Sequence, residues 1–191
     1  MIDSVQFFVE YKHVFIITHV FSVIVGMGGA IIADILFNSY ISDKKINPTE
    51  NKTLQILSKI IWISLASIIL NGLFLFLSDP IRYSESVKFI TKIIIVGTLT
   101  INGLLFWKVT HTSLKKFNLN DTNFHHKYVR MRKLSFAFGS ISIVSWISAF
   151  ILGSVKSIPI SLSQSVSIYV TVLLIAILCS QVLEYLITRK K

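Results

Sequence analysis

The residues from Val14 to Phe37 read VFIITHVFSVIVGMGGAIIADILF, and the architecture of this 191-residue chain can be worked out from them. Only His19 and Asp34 interrupt this run with ionisable side chains. An α-helix needs about 20 mostly apolar residues to cross the roughly 30 Å hydrocarbon core of a bilayer. The run is continuous and lacks the alternation of a barrel strand, so we expect a membrane-spanning helix here.

Four further stretches have the same apolar character. The expected spans are about 14–37, 58–77, 89–108, 134–155 and 161–187. Hydrophobic residues make up 53% of the chain and charged residues only 15%, with a mean hydropathy of +0.70. The sequence therefore predicts an all-α fold, a single domain over residues 1–191 that forms an integral membrane bundle of five transmembrane helices.

The basic residues between the spans predict how the chain is threaded. One side of the membrane, with the N-terminus and the second and fourth loops, would hold Lys12, Arg82, Lys88, Lys92 and Lys156. The other side would hold Lys44, Lys45, Lys52, Lys59, Lys108, Lys115, Lys116, Lys127, Arg130, Arg132, Lys133, Arg189, Lys190 and Lys191. Because positive charge stays on the cytoplasmic side during insertion, we expect an N-out/C-in protein of a bacterial inner membrane.

The formal net charge of +10 follows from the same bias. A nucleic-acid partner is not needed to explain it, because the cytoplasmic loops of membrane proteins carry an excess of Lys and Arg. The expected partner is the lipid bilayer, together with a second copy of the chain or a partner membrane subunit.

Three spans place a polar residue at a similar depth. With a rise of about 1.5 Å per residue, His19 and Lys92 lie about 9 Å and Asn71 about 6 Å from the midplane, all toward the outer side. Ionisable groups inside a membrane are costly and usually face a bundle interior or a watery cavity. His19, Asn71 and Lys92 are therefore the candidate binding residues, although Lys92 can also snorkel to the surface and His19 can simply be hydrogen-bonded.

A second polar layer lies near the inner side. Asp34 and Lys59 are each about 12–13 Å from their midplanes, which predicts a structural ion pair between them. Glu184 and His111 lie at a nearby depth and are expected to anchor helix ends.

Small residues recur at helix-packing spacing on the first and fourth spans. The fourth span carries Ser135, Gly139, Ser142, Trp146, Ala149 and Gly153, and the first carries His19, Ser22, Gly26, Gly29 or Ala30, and Ala33. Such stripes let membrane helices approach closely. They can also make room for a flat cofactor.

The histidine positions exclude a bis-histidine dihaem cytochrome. That ligation needs two histidines at matched depth on facing helices. His13 and His19 are expected outside, whereas His111, His125 and His126 are expected inside. A single haem with one histidine ligand, or a porphyrin substrate, is still compatible with the sequence. Compact catalytic motifs such as a Walker loop or HExxH are absent from it, so enzymatic activity is left open.

Short motifs in the first and third spans carry a family resemblance. They read Lys12-His13, His19, Gly26-Met27-Gly28-Gly29-Ala30 and Asp34, then Lys88-Phe89-Ile90-Thr91-Lys92, Asn102-Gly103 and His111. The chain resembles a group of small, mostly uncharacterised bacterial multi-pass membrane proteins. More loosely, it is similar to the copper-resistance D and membrane protoporphyrinogen oxidase families. The resemblance implies association with haem, porphyrin or copper, with His19 and Lys92 at the site.

Three functions are compatible with these observations. The first is a structural or assembly subunit that binds partner helices through its small-residue stripes. The second is a haem- or porphyrin-associated membrane protein, redox-active or not, with His19 as the ligand of the haem iron. The third is a small transporter that works as a dimer, with the same outer-layer residues lining a cavity. The sequence favours the first, because nothing in it demands catalysis.

Overall fold

The computed structural model describes residues 2–42, 47–115 and 124–189, and side chains within 6–40, 47–109 and 129–187. The described chain folds into seven helices: α1 (Ile2–Glu10), α2 (Lys12–Ser42), α3 (Pro48–Ser78), α4 (Pro80–Ser84), α5 (Val87–Lys115), α6 (Phe124–Ser154) and α7 (Leu162–Arg189). Among them α2, α3, α5, α6 and α7 are long and apolar enough to cross a membrane. The prediction of an all-helical fold with five such helices is confirmed.

The two ends of α3 show how local sequence sets where a helix begins and ends. The Asn47 backbone N–H donates to Glu50 Oε2 at 2.8 Å. Pro48 occupies the first turn of α3, where a backbone N–H would have no acceptor within the helix, so its absence costs nothing. Asp79 precedes Pro80 and is not helical, as expected for a residue before proline. The Asp79 carboxylate instead accepts from the Arg82 N–H at 3.3 Å, which starts the short α4.

Helix α6 is the centre of the bundle. It packs against α2, α5 and α7, while α3 packs mainly against α2. The core lies between these helices and is formed by Ala30, Leu65, Ile68, Ile95, Leu99, Trp146 and Tyr169. Hydrogen bonds between helices support it, with Ser145 Oγ and Tyr169 OH 2.7 Å apart and Thr91 Oγ1 donating to Ser165 Oγ at 3.1 Å.

The small-residue stripes are used inside the chain. An added Cβ at Gly26 would lie 2.5 Å from Cη2 of Trp146 and 3.1 Å from Cβ of Ser64. Because Gly26 has no side chain, α2 approaches both α6 and α3 closely at this point. Gly139 of α6 fulfils the same role against Asp34 of α2, where an added Cβ would lie 3.2 Å from Oδ1.

The bundle has two ends, which we call the N-terminal face and the C-terminal face. The N-terminal face is the end that carries α1, α4 and the connection from α6 to α7. The C-terminal face is the opposite end, where α2, α5 and α7 finish and where α3 and α6 begin. Helices α2, α5 and α7 therefore run parallel to one another, toward the C-terminal face.

Candidate functional site

A row of hydrogen bonds joins α2 to α3 in the half of the bundle nearer the N-terminal face. The Thr18 hydroxyl donates to Asn71 Oδ1 at 2.7 Å, and the hydroxyl oxygens of Ser22 and Ser67 are 2.7 Å apart. The Asn71 amide donates to the Ser67 carbonyl at 2.8 Å. Both ends of the Asn71 amide are thus engaged in holding the two helices together.

His19 lies beside this row and is half-buried. The Ile68 carbonyl of α3 faces its imidazole, but the buried Nδ1 atom has no hydrogen-bond partner. Buried polar atoms without a partner are uncommon in folded proteins, and each one calls for an explanation such as a bound ion or ligand.

Lys92 of α5 is a charged residue that acts electrostatically on this histidine. Its ammonium is close enough to act electrostatically on the imidazole, and it is half-buried. Lys88 lies one turn closer to the N-terminal face, where its ammonium donates to the Val155 carbonyl of α6. Within the described part of the chain, no carboxylate forms an ion pair with Lys92.

Two glycines flank these side chains. An added Cβ at Gly72 would lie 3.8 Å from Cε1 of His19, and one at Gly153 would lie 3.7 Å from Nζ of Lys92. Four helices thus contribute one residue each to what we call the His19 site: His19, Gly72, Lys92 and Gly153. The arrangement offers a nitrogen acceptor and a cation that has no carboxylate partner among the described residues, and a glycine lies beside each.

Of the three residues predicted from the sequence, the structure brings His19 and Lys92 together. Asn71 adjoins Gly72, but its amide is occupied by Thr18 and Ser67. It is therefore placed to support the site rather than to contact a ligand.

The second predicted pair, Asp34 and Lys59, is not brought together. The Asp34 carboxylate lies against Gly139 of α6, and its Oδ2 atom is buried without a hydrogen-bond partner. Lys59 is exposed on α3. The physical reason is rotational: Asp34 is on the face of α2 that packs against α6, and depth alone does not report that rotation.

An ion pair that the sequence did not predict joins α6 to α7. Arg132 Nε donates to Glu184 Oε1 at 2.8 Å, and Nη2 donates to the same oxygen. Glu184 is only 2% exposed and Arg132 only 11% exposed, so the pair is internal. The available signal was the matching depth of an acidic and a basic residue. In the sequence, Arg132 stands out only as one of the cations expected on the inner side.

Asn102 of α5, which belongs to the Asn102-Gly103 motif, is a further polar residue at the contact of α5 with α6. Its amide donates to the Phe138 carbonyl of α6 at 3.0 Å, while its Oδ1 atom is buried without a partner. The rings of Phe37, Phe106 and Phe138 meet close by, with centroid distances of 6.0 Å and 5.8 Å. The side chains of His111, His125 and His126 lie outside the described ones.

Comparison with known proteins gives no relative for this chain. No family model, no curated protein and no solved structure matches it significantly. Inferences about its function therefore rest on the chain's own residues.

Proposed function

We propose that this multi-pass membrane protein binds a haem or another porphyrin at the His19 site. The observation that carries the proposal is the Nδ1 atom of His19, on a helix long and apolar enough to cross a membrane. This atom is buried and has no hydrogen-bond partner. A metal-binding histidine commonly has one ring nitrogen directed at a carbonyl or carboxylate while the other is free for the ligand. The Ile68 carbonyl and the unpartnered nitrogen of His19 are consistent with that arrangement.

The charge at the site supports an anionic ligand. An ammonium that is half-buried in a bilayer needs an anion, a carbonyl or water beside it. Lys92 has no carboxylate partner in the described residues, and the propionate groups of a porphyrin would supply one. His19 would hold the iron and Lys92 a propionate, with Gly72 and Gly153 leaving room for them. A bound haem would supply one-electron redox chemistry, whereas a metal-free porphyrin would be cargo or substrate.

The test is an absorption spectrum of the protein purified in mild detergent, together with solvent extraction of any pigment. We expect a Soret band that His19→Ala abolishes. His13→Ala is the matched control, because His13 is exposed on the same helix and should leave the band unchanged. Asn71→Leu should also retain the pigment, because the Asn71 amide is engaged with Thr18 and Ser67.

A protein that carries no pigment, and that takes up neither haem nor protoporphyrin when they are added, would contradict the proposal. The assembly-subunit alternative would then be the next hypothesis. It predicts a partner that co-purifies and that Gly153→Leu displaces. Gly139→Leu is a poor probe of it, because Gly139 packs against Asp34 within the chain.

We also propose that the protein lies in a bacterial inner membrane with its N-terminal face outside. The support is the distribution of Lys and Arg in the sequence: the five cations Lys12, Arg82, Lys88, Lys92 and Lys156 belong to the segments expected outside, and the other 14 of the 19 belong to the segments expected inside. With this orientation, the His19 site would be reached from the periplasm.

A further inference from the structure

Two oxygen atoms near the C-terminal face are buried without a hydrogen-bond donor. They are Oδ2 of Asp34 on α2 and Oδ1 of Asn102 on α5. Buried oxygens are normally paired, and a carboxylate within a membrane-spanning segment is costly unless a cation or a proton neutralises it. Among the residues that the structure describes, neither oxygen has a donor, so the two atoms mark a place where a donor or a cation could bind.

The two residues lie at the same level of the bundle. Helices α2 and α5 are parallel, and one turn beyond Asp34 and Asn102 they carry Phe37 and Phe106, whose ring centroids are 6.0 Å apart. Residues three or four positions apart share one face of a helix. Asp34 and Asn102 thus face the same space, one turn nearer the N-terminal face than the two phenylalanine rings.

Helix α6 forms the wall of that space. The Asn102 amide donates to the Phe138 carbonyl at 3.0 Å, which leaves the Oδ1 end of the amide as the free one. The next residue, Gly139, contacts the Asp34 side chain: a Cβ added at Gly139 would lie 3.2 Å from Oδ1 and 3.5 Å from Oδ2 of Asp34. Adjacent residues of α6 therefore contact both oxygen-bearing side chains.

The cationic side chains around this space do not pair with Asp34 in the described part of the chain. The nearest elements carry Lys59 on α3, Lys108 on α5, and Arg132 and Lys133 on α6. Arg132 is bound to Glu184, and the three lysines are exposed. On the side of the C-terminal face, the ring of Phe106 contacts the rings of Phe37 and Phe138.

We propose that Asp34 and Asn102 form an intramembrane binding site for a monovalent cation, either a proton or Na⁺. A carboxylate and an amide oxygen are hard ligands that suit such cations, and no soft ligand lies among the residues that define the space. The proposal goes beyond porphyrin binding and is independent of it, because it uses contacts between α2, α5 and α6 and none of the His19 site.

The experiment uses the full-length protein in lipid nanodiscs. Thermal unfolding is followed at several pH values in NaCl, KCl and N-methylglucamine chloride of equal ionic strength. A sodium site predicts a saturable rise in Tm with Na⁺ that Asp34→Asn removes and Asn102→Leu weakens. A proton site predicts no preference among the three salts. It predicts instead an infrared band of a protonated carboxyl group that disappears in Asp34→Asn.

Two further variants keep the result interpretable. Lys59→Gln is the matched control and should behave as the wild type, because Lys59 does not pair with Asp34. Asp34→Glu retains the acid and should alter the cation response, and it serves as the test if the Asn variant does not fold. The proposal is overturned if the wild type and the Asp34 variants share the same cation response and the same carboxyl bands. It is also overturned if Lys59→Gln changes the response as much as Asp34→Asn does.

Discussion

Gly26 and Gly28 are two positions apart on α2 and have very different surroundings. An added Cβ at Gly26 would lie 2.5 Å from Cη2 of Trp146, a rigid side chain that is only 2% exposed. At Gly28 nothing lies within 4 Å of an added Cβ. The sequence shows both as members of one glycine-rich motif, and only the packing of α2 on α6 distinguishes them.

We expect Gly26→Ala to lower the free energy of unfolding by about 1–3 kcal/mol, since a methyl group has to be forced between packed helices. Gly28→Ala is the control and should be neutral or stabilising by up to about 1 kcal/mol, because alanine favours the helix. Unfolding in mixed micelles by increasing SDS measures both. Equal losses in the two variants would show that the close approach at Trp146 is not what selects glycine at position 26.

At the scale of the helices, the contact between α6 and α7 depends on an internal ion pair. Removing one member of a buried pair leaves an uncompensated charge, whereas replacing both with apolar residues of similar volume is often neutral. Gln181 adds a second link, because its amide donates to the Lys133 carbonyl at 3.1 Å. The pair of Arg132 and Glu184 thus fixes the rotation of α7 against α6.

Arg132→Met should destabilise the bundle by about 3–5 kcal/mol, because Glu184 would remain buried without its cation. The double variant Arg132→Met/Glu184→Met should recover most of that loss. Thermal unfolding of the single and double variants in nanodiscs provides the comparison. A double variant as unstable as the single one would mean that the guanidinium acts through contacts other than the carboxylate.

The sequence predicts the elements of this fold better than their contacts. Apolar length alone locates five spans, because the bilayer fixes the length that a helix needs. Helix α3 begins at Pro48, ten residues before the predicted span at 58, so the helix extends beyond its apolar part. Depth also places His19 and Lys92 at a common level, and the structure brings them together. Depth does not give the rotation of a helix about its axis. For that reason depth alone predicts a pair of Asp34 with Lys59, whereas the structure pairs Arg132 with Glu184.

For the whole molecule, polar sites occur at two levels of one bundle. His19 and Asp34 are 15 positions apart on α2, which corresponds to about 22 Å along the helix axis. Trp146, Gly26 and Ala30 pack tightly between them in the core. The two sites are thus separated by buried core residues, and we expect that each can be altered without the other.

The orientation of the bundle can be tested with fusions at its two ends. A fluorescent protein fused after Lys191 should fold and fluoresce, because the C-terminal face is expected in the cytoplasm. Alkaline phosphatase fused in the connection between α6 and α7 should be active, because that connection is expected in the periplasm. The reverse pattern would invert the orientation, and it would place the entrance to the His19 site in the cytoplasm.

The triad of Phe37, Phe106 and Phe138 has a kinetic consequence. The three rings come from three helices and meet at angles of 78° and 68°, in edge-to-face contacts that involve no hydrogen bond. Rotation of a single phenylalanine about χ1 would therefore break these ring contacts while the helix axes stay in place. Side-chain rotations are much faster than collective helix movements, which take microseconds to milliseconds. Exchange of a cation at the proposed site of Asp34 and Asn102 should accordingly be limited by the rotation of one ring, and it should accelerate when that ring is replaced by alanine.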